Sequence, residues 1–145
     1  EGCASIVTTT GNPDGHVVLR GGKRGTNYHP EAIEEVAATL DRDGLPVRVM
    51  VDCSHGNSNK DYRLQGEVLR QVADQVRGGS THVMGVMLES HLVAGNQKIP
   101  ADLSQLTYGQ SITDACIDLA TTDGLLEELA AAVRDVQGAA SLAVA

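Results

Sequence analysis

Val47-Arg48-Val49-Met50-Val51 runs directly into Asp52-Cys53-Ser54-His55-Gly56-Asn57-Ser58, an apolar strand that ends in five polar side chains and a glycine. Burying such groups without partners costs roughly 1–3 kcal/mol each, so something at this strand end must satisfy them. The same plan recurs on either side. Upstream, His16-Val17-Val18-Leu19 ends at Arg20-Gly21-Gly22-Lys23; downstream, His82 through Leu88 runs into Glu89-Ser90-His91. After each of the first two strands comes an amphipathic helix. Pro30, a favoured first helical residue, opens one that spaces Ile33, Val36, Ala37 and Leu40 along a single buried face, and Gly44 stops it. The next puts Leu64, Val68, Val72 and Val76 on one stripe before Gly78-Gly79. A last helix, from near Thr122-Asp123 to Gly138, turns Leu125, Leu126, Leu129, Val133 and Val136 inward, and the small-residue tail 139–145 is expected to fray.

Near-continuous apolar strands alternating with helices predict an α/β fold with a covered parallel sheet. From Arg20 to His55 is 35 positions and from His55 to Glu89 is 34, close to the ~31 residues per unit of a (β/α)₈ barrel divided by eight. Equal periods bring the strand ends to one rim, so Arg20, His55 and Glu89 are expected on the C-terminal face, where ligands bind in barrels and open sheets alike. The segment Cys3 to Thr8 is read as a hairpin partner of the first strand across Gly11-Asn12-Pro13-Asp14-Gly15. A polar loop of about twenty residues after His91 is longer than a connector needs, which suggests function.

Composition narrows the classes. The chain has 145 residues, with 11 Lys and Arg against 19 Asp and Glu, a net charge of −8, and its three tyrosines are the only aromatics. It has neither the basic surface that neutralises a phosphate backbone nor rings to stack bases, so nucleic-acid binding is not expected. Apolar residues make up 41 %, enough for an aliphatic core. No apolar run approaches the ~18 residues of a membrane span, and Glu1-Gly2-Cys3 lacks the pattern of a secretory leader, so the expectation is a cytoplasmic protein without a membrane partner. Cys3, Cys53 and Cys116 are odd in number and far apart, which argues against both a disulfide framework and a structural zinc site. A first residue other than Met fits either trimming or, the reading favoured here, a chain that begins inside a longer protein.

Chemistry concentrates at the strand ends. Arg20 is a permanently charged fork for phosphate or carboxylate, and Gly21-Gly22 let backbone N–H groups approach the same anion; the alternative is a solvated loop. His55 can bind a divalent metal through one ring nitrogen while a neighbouring acceptor holds the other. Alternation puts Cys53 on the face of His55, either as a soft ligand or as a small buried hydrophobe. Glu89, at the end of an apolar strand, is expensive unless a metal or His91 partners it. Asp114 returns a carboxylate to the same end, unless it caps a helix. One imidazole and two carboxylates form a borderline set suited to Mn²⁺, Fe²⁺ or Zn²⁺.

Four ordered stretches carry a more specific likeness: H-V-V-L-R-G-G (His16 to Gly22), D-C-S-H-G-N-S (Asp52 to Ser58), G-V-M-L-E-S-H-L-V-A-G-N-Q (Gly85 to Gln97) and Y-G-Q-S-I-T-D-A-C-I (Tyr108 to Ile117). In order and spacing the chain resembles the microbial type I 3-deoxy-arabino-heptulosonate-7-phosphate (DAHP) synthases over essentially its whole length. The resemblance implies that residues 1–145 are the C-terminal part of a (β/α)₈ TIM barrel, about three βα units plus a β-hairpin, with the N-terminal part absent. It implies condensation of phosphoenolpyruvate with erythrose 4-phosphate, the first step of the shikimate pathway, with a divalent metal (Mn, Fe, Co or Zn) as cofactor. Carried over residue by residue, His55, Glu89 and Asp114 correspond to metal ligands. Arg20 corresponds to the arginine that grips phosphoenolpyruvate, His55 and Asp114 also serve substrate binding, and His55 is the catalytic group.

The family's fourth ligand, a cysteine, and its Lys-Pro-Arg-Thr substrate loop are not found in the chain. Cys116, two residues after Asp114, is the thiol expected near the metal. The Gly11 to Gly15 hairpin resembles an insertion that helps form an aromatic amino-acid pocket in feedback-regulated members. The full-length form is expected to be a homo-oligomer and the isolated piece inactive. A non-catalytic remnant that serves as an interaction module, and another metal-dependent barrel aldolase, are the rival readings, since fold alone does not assign chemistry.

Overall fold

Val17–Leu19 (β1), Val49–Asp52 (β2) and Val83–Met87 (β3) pair in parallel in the order β1-β2-β3, in a computed structural model that describes residues 2–142. β2 is central, and its Val49 and Val51 are wholly buried, as the near-continuous apolar run requires. Two helices follow the first two strands, Pro30–Arg42 (α1) and Gln65–Arg77 (α2). Ile33 of α1 and Val68, Leu69 and Val72 of α2 join Leu19, Val49, Val51 and Cys53 in one core. Each fully buried aliphatic side chain there stabilises the fold by about 1.5–3 kcal/mol. On the opposite face of the sheet Val18, Met50 and Gly85 stand in register, and Val18 is 41 % exposed.

The polar stretch after β3 is more ordered than a loop. Ser90–His91 (β4) pairs in parallel with Ile117–Asp118 (β7), and Val93–Asn96 (β5) with Gln110–Ser111 (β6). A bridge between Gly95 and Cys116 closes the segment on itself, so residues 112–116 are drawn back beside the end of β3. The final helix, Leu119–Leu142 (α3), packs along α2. Arg70 of α2 donates to both oxygens of Glu128 of α3 at 2.7 and 3.0 Å, but so exposed a pair adds little; the apolar seam holds the helices together.

Several sequence-based expectations need correction. No strand forms before β1: a turn exists, with Gly15 N–H donating to Asn12 O at 3.4 Å, yet Ile6 and Val7 are 98 % and 78 % exposed and pair with nothing among the described residues. An uncovered two-stranded ribbon is marginal in water, and this one has no face to bury. α2 begins one residue late because Asp61 accepts from Arg63 N–H at 3.0 Å and turns Tyr62–Leu64 into a 3₁₀ segment; Leu64 is left at the surface and Gln65 takes the inner position. α3 starts at Leu119, where Asp118 accepts from Thr121 N–H at 2.7 Å, and passes through Gly138 without stopping. Leu125 and Ala132 are buried, whereas Leu126 and Val133 lie one position round the helix, about 100° away, and are 51 % and 39 % exposed. The tail is helical to Leu142, and the remainder of the expected fray lies outside the described residues. Among the described residues no helix is long and apolar enough to cross a membrane.

Candidate metal centre

The end of β2 changes direction at His55, whose φ of 43° is left-handed. Asp52, buried at the strand end, accepts from Ser54 N–H at 2.8 Å through Oδ1, and its Oδ2 lies 2.7 Å from His55 Nδ1. The turn breaks the strand alternation, so Cys53 and His55 do not share a face. Cys53 sits fully buried in the core, where desolvation, with the negative charge of Asp52 adding to it, pushes its thiol up to about 12. It is a hydrophobe here and not a soft ligand.

Asn59 and Lys60 are also left-handed, with φ of 52° and 61°. Such conformations cost non-glycine residues of order 1–3 kcal/mol each, and a dense set of bonds sustains them. Ser58 N–H donates to Ser54 O at 3.1 Å, Asn59 N–H to Gly56 O at 3.2 Å and Lys60 N–H to His55 O at 2.7 Å. Buried Asn57 donates to Leu19 O and Asp52 O at 3.0 and 2.9 Å and accepts from Asn27 N–H at 2.8 Å. Gly56 N–H donates to Arg20 O at 2.9 Å, and a Cβ on Gly21 would fall 2.5 Å from the Gly56 carbonyl carbon. Only glycine permits that approach, which locks the Arg20 loop to the His55 turn.

Glu89 is placed by Gln65. The amide of Gln65 accepts from Glu89 N–H at 2.8 Å and donates to Glu89 O at 3.2 Å, while Ile117 N–H donates to the same carbonyl at 3.0 Å. One carboxylate oxygen of Glu89 accepts from the Ser54 hydroxyl; the other lies 3.6 Å from His55 Nε2. Asp114 Oδ2 lies 4.0 Å from the same nitrogen. His55, Glu89 and Asp114 each offer one ligand atom, all within 4.8 Å of one another. Between them is a cavity of about 30 Å³, lined by Ser54, His55, Lys60, Glu89, Asp114 and Ala115, which is room for a single ion or water. With Nδ1 engaged by Asp52, Nε2 is the nitrogen free to coordinate.

Of the expected site residues, His55 and Glu89 from strand ends and Asp114 from the segment after the long loop come together. Arg20 is present through its backbone alone: its side chain is exposed and forms no ion pair among the described residues, and it does not line the cavity. His91 is not the partner of Glu89, because its exposed ring accepts from the neighbouring Leu92 N–H at 2.8 Å. Asp114 caps no helix; Asp118 does. Cys116 is half-buried beside the trio without joining it, and its thiol is raised chiefly by burial, with Glu89 and Asp114 contributing. Sequence reading overlooked Gln65 and Lys60. The former was detectable as a polar residue three positions before Val68 on the inner helix face; the latter carries no periodic signal.

A model of the DAHP synthetase I family matches residues 1–127. The chain is 50 % identical over 133 residues to the phospho-2-dehydro-3-deoxyheptonate aldolase of Alternaria alternata, covering 91 % of this chain and 36 % of that protein. It is 47 % identical over 137 residues to the Phe-sensitive phospho-2-dehydro-3-deoxyheptonate aldolase of Escherichia coli K12, covering 94 % and 39 %. The solved structure of phospho-2-dehydro-3-deoxyheptonate aldolase from Francisella tularensis SCHU S4 superimposes with a TM-score of 0.84 at 46 % identity, over 90 % of this chain and 38 % of that one. The chain thus spans little more than a third of the length of the curated relatives it matches.

Proposed function

Since the chain belongs to the DAHP synthetase I family, we propose that residues 1–145 are the C-terminal part of the (β/α)₈ barrel of a DAHP synthase. The activity is condensation of phosphoenolpyruvate with erythrose 4-phosphate to give 3-deoxy-arabino-heptulosonate 7-phosphate and phosphate. The observation that carries the reading is the convergence of His55, Glu89 and Asp114, three groups from separate segments, within 4.8 Å. The open apolar face of Val18 and Met50 supports a sheet that further strands complete.

The donor set suits Mn²⁺, Fe²⁺, Co²⁺ or Zn²⁺, with His55, Glu89 and Asp114 as ligands. When bound, such a cation supplies a Lewis acid that polarises the aldehyde oxygen of the acceptor sugar. Around it the chain's own residues divide the work. Asp52 keeps the proton of His55 on Nδ1, and the Ser54 hydroxyl and Gln65 amide hold Glu89 in place. Arg20, at the same rim through its backbone contact with Gly56, grips phosphoenolpyruvate. His55 and Asp114, which line the cavity, also serve substrate binding in this reading, and His55 is catalytic as a ligand of the cation, its Nδ1 being held by Asp52.

Homo-oligomerisation of the full-length protein, a cytoplasmic location suited to phosphorylated intermediates, and inactivity of the isolated chain belong to the same proposal. The test is phosphate release from both substrates with Mn²⁺, using the full-length polypeptide that carries this chain. His55→Ala and Glu89→Ala are expected to lose about 100-fold or more, the scale of losing a metal-assisted step. Parental rates in either variant would refute the assigned roles.

A further inference from the structure

Lys60, an exposed residue, is the lysine or arginine among the residues that line the 30 Å³ cavity. It follows the trio's histidine by five residues, and its N–H bond to His55 O, 2.7 Å long, ties its backbone to that ligand. Its φ of 61° is a conformation that glycine adopts freely and lysine adopts only at a cost.

The charge of Lys60 has no counter-ion among the described residues. It forms no ion pair among the described residues, although Glu89 and Asp114 line the same cavity. Both carboxylates are turned to His55 Nε2, at 3.6 and 4.0 Å, and Glu89 spends its other oxygen on Ser54. A dication held by the trio would repel the ammonium group. An anion lying between the two replaces that repulsion with two attractive contacts, each a charge-assisted one. The cavity is too small for more than an ion or a water, so the anion belongs at its mouth.

We propose that Lys60 anchors an anionic oxygen, phosphate or carboxylate, of a small molecule that binds across the mouth of the His55, Glu89 and Asp114 site. The identity of the natural ligand rests on the synthase reading above, in which both substrates are phosphorylated; the anion site itself does not.

The full-length polypeptide loaded with Mn²⁺ is titrated calorimetrically with phosphoenolpyruvate and, separately, with inorganic phosphate, as the parent and as Lys60→Gly and Lys60→Arg. Lys60→Gly keeps the left-handed backbone unstrained while deleting the charge, so folding is not at issue. It should weaken both anions about tenfold or more, while Lys60→Arg stays within about threefold. Mn²⁺ affinity, measured in the same proteins without an anion, should hold or rise in Lys60→Gly as the like charge disappears. Overturning results are a parent that binds neither anion, or Lys60→Gly with anion affinity within about twofold of the parent. Turnover of the two substrates is measured separately: anions bound through Lys60 without turnover would sink the synthase reading and leave the anion site standing.

Discussion

Asp52 Oδ2 lies 2.7 Å from His55 Nδ1, three residues along the chain and across the turn that ends β2. The carboxylate is buried and also receives Ser54 N–H, so its position is not free to adjust. It therefore selects the imidazole tautomer with the proton on Nδ1 and aims the Nε2 lone pair at the cavity.

Replacing Asp52 by Asn lets the amide donate to Nδ1 and move the ring proton to Nε2. Affinity for Mn²⁺ should fall about 10–100-fold, the range seen when the carboxylate behind a ligating histidine is removed. Nitrogen-15 chemical shifts of His55 in the metal-free protein should report the tautomer change. Unchanged shifts together with parental Mn²⁺ binding would dismiss the orienting role.

Asn57→Ala strips a buried amide that makes three hydrogen bonds, to Leu19 O, Asp52 O and Asn27 N–H. Three backbone groups lose their partner at once, so the expected cost is about 2–4 kcal/mol. Urea unfolding measures it. A loss under about 1 kcal/mol would mean that water satisfies those groups.

Gly21→Ala and Gly44→Ala separate close approach from backbone strain. Both glycines are left-handed, at φ of 71° and 67°, but a Cβ on Gly21 meets Gly56 and Asn57 backbone at 2.5 and 2.7 Å, whereas one on Gly44 meets nothing within 4 Å. Gly44→Ala should cost about 1 kcal/mol, and Gly21→Ala about 3 kcal/mol or more together with loss of Mn²⁺ binding. Equal unfolding midpoints would show that the two loops are not locked together.

Cys53 should resist alkylation at pH 8 while exposed Cys3 reacts, and should become reactive only on unfolding. Its folded-state value of about 12 lies above the ordinary 9.0. The unfolded chain therefore releases this proton first, and the stability that is complete below pH 9 declines as the pH rises toward 12. The slope is at most about 1.4 kcal/mol per pH unit. Flat stability between pH 9 and 11 in the parent, or an equal decline in Cys53→Ala, would assign the effect elsewhere.

The parts of the site that were legible before any coordinates share one property: they follow from regular repetition. The recurrence of Arg20, His55 and Glu89 at nearly equal intervals implies a common rim because parallel strands joined by similar helices advance in step. The face of His55 and the contacts of His91 and Arg20 did not follow, since each depends on a departure from regularity. Cys53 continues the buried alternation of Val49 and Val51, the left-handed turn takes His55 off that face, and pairing of β4 with β7 carries Asp114 rather than His91 toward Glu89.

Residue order alone determined the alternation of strands and helices, the buried stripe of α1, the family likeness and the identity of the three candidate ligands. These are consequences of local periodicity and residue chemistry, which every stretch carries within itself. Tertiary structure decided that the ligand atoms lie within 4.8 Å, that Gln65 clasps Glu89, that Lys60 borders the cavity without a counter-ion among the described residues, and that residues 2–15 form no hairpin. Those outcomes rest on hydrogen bonds between groups tens of residues apart, whose geometry exists only once the sheet has placed the strand ends side by side.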